Sequence, residues 1–125
     1  MSNPTTSFFQ ALARRGHETA LEEVVATIRF DLTHEKGVDR WFMVIERGDV
    51  RVSRDGGEAD FVIHSSRATF DRIIGGQSQL YPAWLRNEIR TEGDVRLFRI
   101  ASRLIPAAPG AHHPRDFGRE RRRAA

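Results

Sequence analysis

The stretch ADFVIHSSRATFDRIIGGQSQLYPAWLRNEIRTEGDVRLFRIASRLI, residues 59–105, decides the fold, because the spacing of its apolar residues changes along it. Ala59-Asp60-Phe61-Val62-Ile63 is a strand-like run. Phe70, Ile73 and Ile74 then fall at i, i+3 and i+4, the spacing of one helix face. Leu80 to Arg86 predicts a second, shorter helix, with Pro82 tolerated in its first turn. Ile89 and Thr91 alternate with Arg90 and Glu92, a brief strand suited to pairing at an edge. Asp94 is placed to cap a last helix, in which Leu97, Phe98, Ala101, Leu104 and Ile105 make a wide core-facing stripe. Large apolar side chains are plentiful here and paired catalytic groups are not. That balance points to a domain that holds something apolar rather than one that cuts or transfers.

Upstream, Thr5 to Arg15 reads as a short helix with Phe8, Phe9 and Leu12 as its stripe and Gly16 as its stop. Val24 to Leu32 alternates strictly: Ala26, Ile28, Phe30 and Leu32 face one side, Thr27, Arg29 and Asp31 the other. After a charged turn, Thr33 to Arg40, comes Trp41 to Ile45, with Trp41, Met43 and Ile45 inward. Gly48-Asp49 turns into Val50-Arg51-Val52, and Asp55-Gly56-Gly57 turns into Ala59 to His64. These short connections predict an antiparallel meander of the first four strands. Ser65 or Ser66 is the expected N-cap of a helix over Arg67 to Ile74, which Gly75-Gly76 ends. The expected fold class is α+β, a mostly antiparallel five-stranded twisted sheet with helices packed on one face. One domain spans residues 1–105; residues 106–125 are expected to be a flexible basic tail.

Composition narrows the function classes. At 125 residues the chain is one domain by length and can bury one real core. It has no cysteine, which excludes disulfides, thiolate metal sites and cysteine nucleophiles. No apolar run approaches the roughly 20 residues that span a bilayer, and Met1 to Ser7 lacks a signal-peptide layout, so a cytoplasmic location is expected. The net charge of +3 has a definite address. Residues 1–105 carry 15 basic and 15 acidic residues, so the five Arg and two carboxylates beyond Pro106 hold the whole excess.

Several of these motifs, taken in order, resemble the sterol carrier protein 2 family of lipid-binding domains. The similarity lies in Trp41-Phe42-Met43-Val44-Ile45 before a turn glycine, then Ala59 to Ile63, then Ser66 to Phe70 opening a helix that ends at Gly75 or Gly76. Ala83-Trp84-Leu85 follows, then Ile89-Arg90-Thr91-Glu92-Gly93-Asp94 and the last helix. It covers about residues 20–105. Two departures stand out: Asn87 occupies a position where the family usually has glycine, and the chain ends Arg-Ala-Ala, without a peroxisomal address. The resemblance implies helices over one face of a twisted sheet, an apolar tunnel between the layers, and binding of fatty acyl chains, sterols or other lipids without chemistry.

The ligand-contact candidates are Phe30, Trp41, Met43, Phe70, Ile74, Trp84, Leu85 and Phe98. Each competes with a plain core role, since interiors are close-packed. Met43 gains weight from the adaptability of methionine, and Trp84 from its place in a short helix flanked by turn residues, where a mouth could open. A shift of the last helix or of residues 77–86 is the expected way in. No catalytic residue, metal or cofactor is assigned. His64 beside Ser65 and Ser66 is no triad without a base that reaches a hydroxyl and a group that orients it. His112-His113 lacks a third ligand. The expected partner is a lipid or other hydrophobic small molecule, with transient contact of Arg119 and Arg121 to Arg123 on an anionic membrane surface and no specific nucleic acid. The alternatives are an enzyme working on an apolar substrate in the same cavity, or a homodimerising regulatory or assembly module.

Overall fold

The computed structural model describes residues 4–54 and 56–105. The flexible tail expected over 106–125 lies outside them. Helix α1 (Pro4–Arg15) leads through a 3-10 turn (Thr19–Leu21) into strands β1 (Val25–His34), β2 (Gly37–Glu46), β3 (Asp49–Ser53) and β4 (Phe61–Ser66). Helices α2 (Arg67–Ile74) and α3 (Leu80–Leu85) precede strand β5 (Ile89–Gly93) and helix α4 (Leu97–Leu104).

The five strands form one sheet in the order β3-β2-β1-β4-β5. The expected four-strand antiparallel meander does not form. Strands β1 to β3 meander as expected, but β4 lies on the far side of β1 and runs parallel to it. The connection from β3 crosses the sheet face opposite the helices. Arg29 donates from Nη1 to the Gly57 carbonyl at 2.7 Å, and the Asp60 carboxylate accepts the Thr27 N–H at 2.9 Å. Gly56 passes so close to Phe42 that a Cβ there would sit 2.3 Å from the ring. The glycine serves a close approach rather than a hairpin turn.

Alternation puts one row of each strand under the helices. Ile28 stands opposite Met43 and Phe61, and Phe30 opposite Trp41 and Ile63. All six are buried. Burying a side chain of this size stabilises the fold by roughly 1.5–3 kcal/mol. Phe9 on α1, Phe70 on α2 and Phe98 on α4 meet this row from above, which fixes the helices on that face. Local signals hold at both ends of α2: Ser66 caps it, its Oγ accepting the Thr69 N–H at 3.0 Å, and Gly75 follows its last residue. Asn87 takes φ 61, the left-handed geometry that asparagine tolerates best after glycine. Asp94 accepts the N–H of Arg96, ahead of α4 rather than as its N-cap residue.

The opposite face mixes Phe42, Val44 and Val62 with polar and charged side chains. Asp31 is buried there and held by Arg29 in a two-point contact of 2.9 and 3.1 Å, with Arg40 at 3.5 Å and His64 at 3.7 Å.

Candidate ligand-binding site

Aromatic side chains gather on the helix side in two groups. The first is under α1. Phe9 lies flat on Trp41, ring centres 4.5 Å apart, parallels Phe70 at 6.0 Å and meets Phe30 edge-on at 5.2 Å. Such offset and edge contacts each add to what burial alone contributes. Arg54 closes the outer side, its guanidinium 4.2 Å above the Trp41 ring. Phe30, Met43 and Phe70 are wholly buried and Trp41 nearly so. Four of the eight candidates therefore stand in a filled region, with Phe9 in the space between them.

The second group is at α3 and α4. Trp84 lies 5.0 Å from Phe98, and Tyr81 touches both rings at 6.0 and 6.2 Å. Phe98 reaches on to Phe61 in β4 at 6.4 Å, so this group runs from the surface to the sheet. Its outer members are open: Tyr81 is 55% exposed and Leu85 60%. They lie at i and i+4, one side of α3, while Leu80 and Ala83 face inward. Ile74, at the end of α2, is partly buried against the common core.

The candidates thus divide between a buried set under α1, Phe30, Trp41, Met43 and Phe70, and a set at α3 and α4 graded from exposed Leu85 through half-buried Trp84 to buried Phe98. Two further residues complete these sets and were not among the candidates. Phe9 belongs to a stripe legible in the sequence, but nothing local says it reaches Trp41. Tyr81 precedes Trp84 by three residues, a spacing that would have paired them on one helix side.

An open groove of about 610 Å³ lies elsewhere, at the start of β1 and the end of β2, lined by Val25, Thr27, Glu46, Arg47 and Asp60 among others. None of the eight candidates borders it, and its carboxylates suit water better than an acyl chain.

Among the described residues, Arg54 over Trp41 is the one cation–ring contact in the aromatic sets, and no acid–base pair is found there. His64 Nε2 lies 2.7 Å from Glu92 Oε2, and that hydrogen bond holds the Glu92 carboxyl below the usual carboxylate range. The neighbouring hydroxyls are engaged elsewhere: Ser65 Oγ donates to the Ser66 carbonyl and Ser66 Oγ caps α2. No group of three or more His, Cys, Asp or Glu residues able to hold a metal occurs among the described residues. No helix among them is long and apolar enough to cross a membrane.

The sequence matches the model of the SCP-2 sterol transfer family over residues 8–105. No curated protein matches it significantly. Among solved structures, palmitated SCP2L2 from Aedes aegypti is similar at 17% identity and a TM-score of 0.60, covering 86% of this chain and 90% of that one. The apo form of sterol carrier protein 2 from Yarrowia lipolytica is similar at 17% and 0.61, covering 79% and 84%. The sec-alkylsulfatase Pisa1 from Pseudomonas sp. aligns at 16% and 0.62, covering 80% of this chain but only 16% of the sulfatase. At these identities the likeness is one of fold.

Proposed function

We propose that this chain, which belongs to the SCP-2 sterol transfer family, binds a lipid or other hydrophobic small molecule between its sheet and helices and does no chemistry on it. Family membership supports a lipid-binding or lipid-transfer module. The observation that carries the finer reading is the continuous line of rings from exposed Tyr81 through Trp84 and Phe98 to buried Phe61. An apolar guest follows that line inward. Trp84, Leu85, Phe98 and Ile74 form the entrance, and a shift of α4 or of residues 77–86 widens it. Phe30, Trp41, Met43 and Phe70 form the inner wall, reached when Phe9 gives way. A neighbour of this fold solved in palmitated form, SCP2L2 from Aedes aegypti, supports an acyl guest.

Burying about 12 methylenes at ~0.8 kcal/mol each gives about 10 kcal/mol gross. Association and ordering remove at least about 4 kcal/mol of that, so apolar burial alone supports binding weaker than the roughly 8 kcal/mol of a micromolar complex, and a longer chain or a polar contact makes up the difference. The sulfatase, of which this chain matches a small part, supports an accessory role beside an enzyme for apolar substrates. Titration of a fluorescent fatty acid against the full chain tests the reading. Saturable binding that unlabelled fatty acid displaces is expected, and a signal that neither saturates nor competes would end it.

A further inference from the structure

The two outer edges of the sheet differ. β3 lies at one end of the strand order and β5 at the other. The outer side of β3 is occupied: Val50 donates its N–H to the Gly16 carbonyl and Glu18 donates to the Gly48 carbonyl, both at 2.7 Å. Outside β5 there is no counterpart, and among the described residues only β4 bonds to the backbone of Ile89–Gly93. One contact sets the phase of that ladder. The Asp94 N–H donates to the Asp60 carbonyl at 2.9 Å, one step beyond the Phe61–Gly93 pair. Hydrogen-bonded and open pairs alternate along antiparallel strands. Arg90 and Glu92 therefore turn their backbone groups to His64 and Val62, while Thr91 turns its N–H and C=O outward. Unpaired backbone groups along an edge are a template for another strand. Arg90 and Glu92 share one face of β5, the face on which Glu92 bonds His64, and both are exposed. Arg90 makes no ion pair among the described residues.

We infer that the outer edge of β5 pairs with the same edge of a second copy, antiparallel about a two-fold axis at Thr91. A two-fold contact sets a surface against itself. Thr91 then meets Thr91 of the other copy and exchanges two N–H···O=C bonds with it. Arg90 of each copy meets Glu92 of the other. These two pairs fall in the open positions of the new ladder, where opposed side chains come closest. Opposite charges attract there and like charges repel. The same rule fixes the register, because an axis at Arg90 would oppose two arginines and an axis at Glu92 two glutamates. Glu92 keeps its bond to His64, which takes only Oε2 of a carboxylate with two acceptor oxygens. Arg90-Thr91-Glu92 is thus its own complement, a symmetry that an extended peptide from another protein would not require. The edge lies outside the sheet–helix interior, so the pairing is independent of cargo.

Sedimentation equilibrium of the full chain at rising concentration and low salt tests this. The contact is short, so a weak monomer–dimer equilibrium is expected rather than a fixed dimer, and salt should weaken it by screening the exposed pairs. Arg90→Glu alone, or Glu92→Arg alone, opposes like charges in both pairs and should weaken the dimer about tenfold or more. The two changes combined in one chain restore the complementarity and should restore the dimer. The two single variants, mixed, should pair with each other as well as the unaltered chain pairs with itself. All these changes are at exposed side chains, and circular dichroism checks that the variants fold. Hydrogen exchange reads the edge itself: the Thr91 amide should exchange freely in dilute protein and become protected as the dimer forms. A chain that stays monomeric up to about 1 mM would overturn the inference. So would a dimer that both single variants leave intact, which another surface must then hold. Thr91 protected in the monomer would also overturn it, since the edge would then be covered within one copy. Fatty-acid titration of dilute protein reads the interior alone, so the two proposals fail separately.

Discussion

Two sets of rings lie on the helix side of one sheet, and they differ in what covers them. Phe30, Trp41 and Phe70 share Phe9, which α1 delivers between them, and Arg54 shields the outer side. Tyr81 and Trp84 have no such plug: they cover buried Phe98 and leave the group open to solvent through Tyr81 and Leu85. The same residue types therefore do opposite work. Where a helix twelve residues long fits its whole stripe to the sheet, aromatics stabilise. Where a six-residue helix offers only part of a stripe, they are left available.

Removing the plug should have the largest effect. Phe9→Ala is expected to cost about 3–5 kcal/mol in denaturant unfolding, the usual penalty for a buried ring. If acyl chains can occupy the vacated space, added fatty acid should recover part of that loss. A cost below 1 kcal/mol would mean the set under α1 is not closed.

Gly93→Ala sharpens the comparison from the backbone side. Gly93 has φ 98, and a Cβ there would sit 2.2 Å from the Asp60 carbonyl. This position ties the end of β5 to the start of β4, beneath the open rings. About 2 kcal/mol or more of destabilisation is expected, since neither atom is on a side chain that can yield. A neutral result in chemical denaturation would contradict the pairing.

The set at α3 and α4 should respond in the reverse sense. Trp84→Ala is expected to weaken fatty-acid binding roughly tenfold, about 1.4 kcal/mol, while lowering unfolding stability much less than Phe9→Ala does. Equal loss in both readouts would make Trp84 another core residue and erase the distinction.

The smallest effect concerns how α1 is held. His17, just after α1, lies 2.7 Å from Asp49 at the start of β3, and this hydrogen bond raises its pKa above the ordinary 6.5. Protons then bind the folded form more tightly than the unfolded one. The contribution is complete below 6.5 and is lost as pH rises through the raised value. Thermal midpoints should fall slightly over that window, and His17→Gln should flatten the slope. A slope unchanged by the substitution would remove His17 from the fastening of α1.

These contrasts also explain what could be read in the sequence. Periodicity located all five strands and the α-helices, though Thr33, His34 and Gly37 to Arg40, read as turn, belong to β1 and β2, and Ser66 and Asn87 carried local geometry in their own chemistry. Strand order was harder. Asp55-Gly56-Gly57 has the composition of a hairpin turn, yet Gly56 is small because Phe42, fourteen residues earlier, lies against it. The parallel pairing of β1 and β4 follows from that crossing, and no local pattern encodes it. The same holds for the rings. Phe30, Trp41 and Phe70 look like Phe98 in the sequence; Trp84 stands apart only by its short helix between turn residues, and nothing local shows that Phe9 covers the first three.

Cargo uptake at the α3–α4 end is most directly tested by titrating one fluorescent fatty acid against the full chain and against Trp84→Ala with Leu85→Ser. Saturable micromolar binding to the unaltered chain, displaced by unlabelled fatty acid and weakened at least tenfold in the variant, is the predicted result. Identical curves for the two proteins, or no saturation with either, would contradict it.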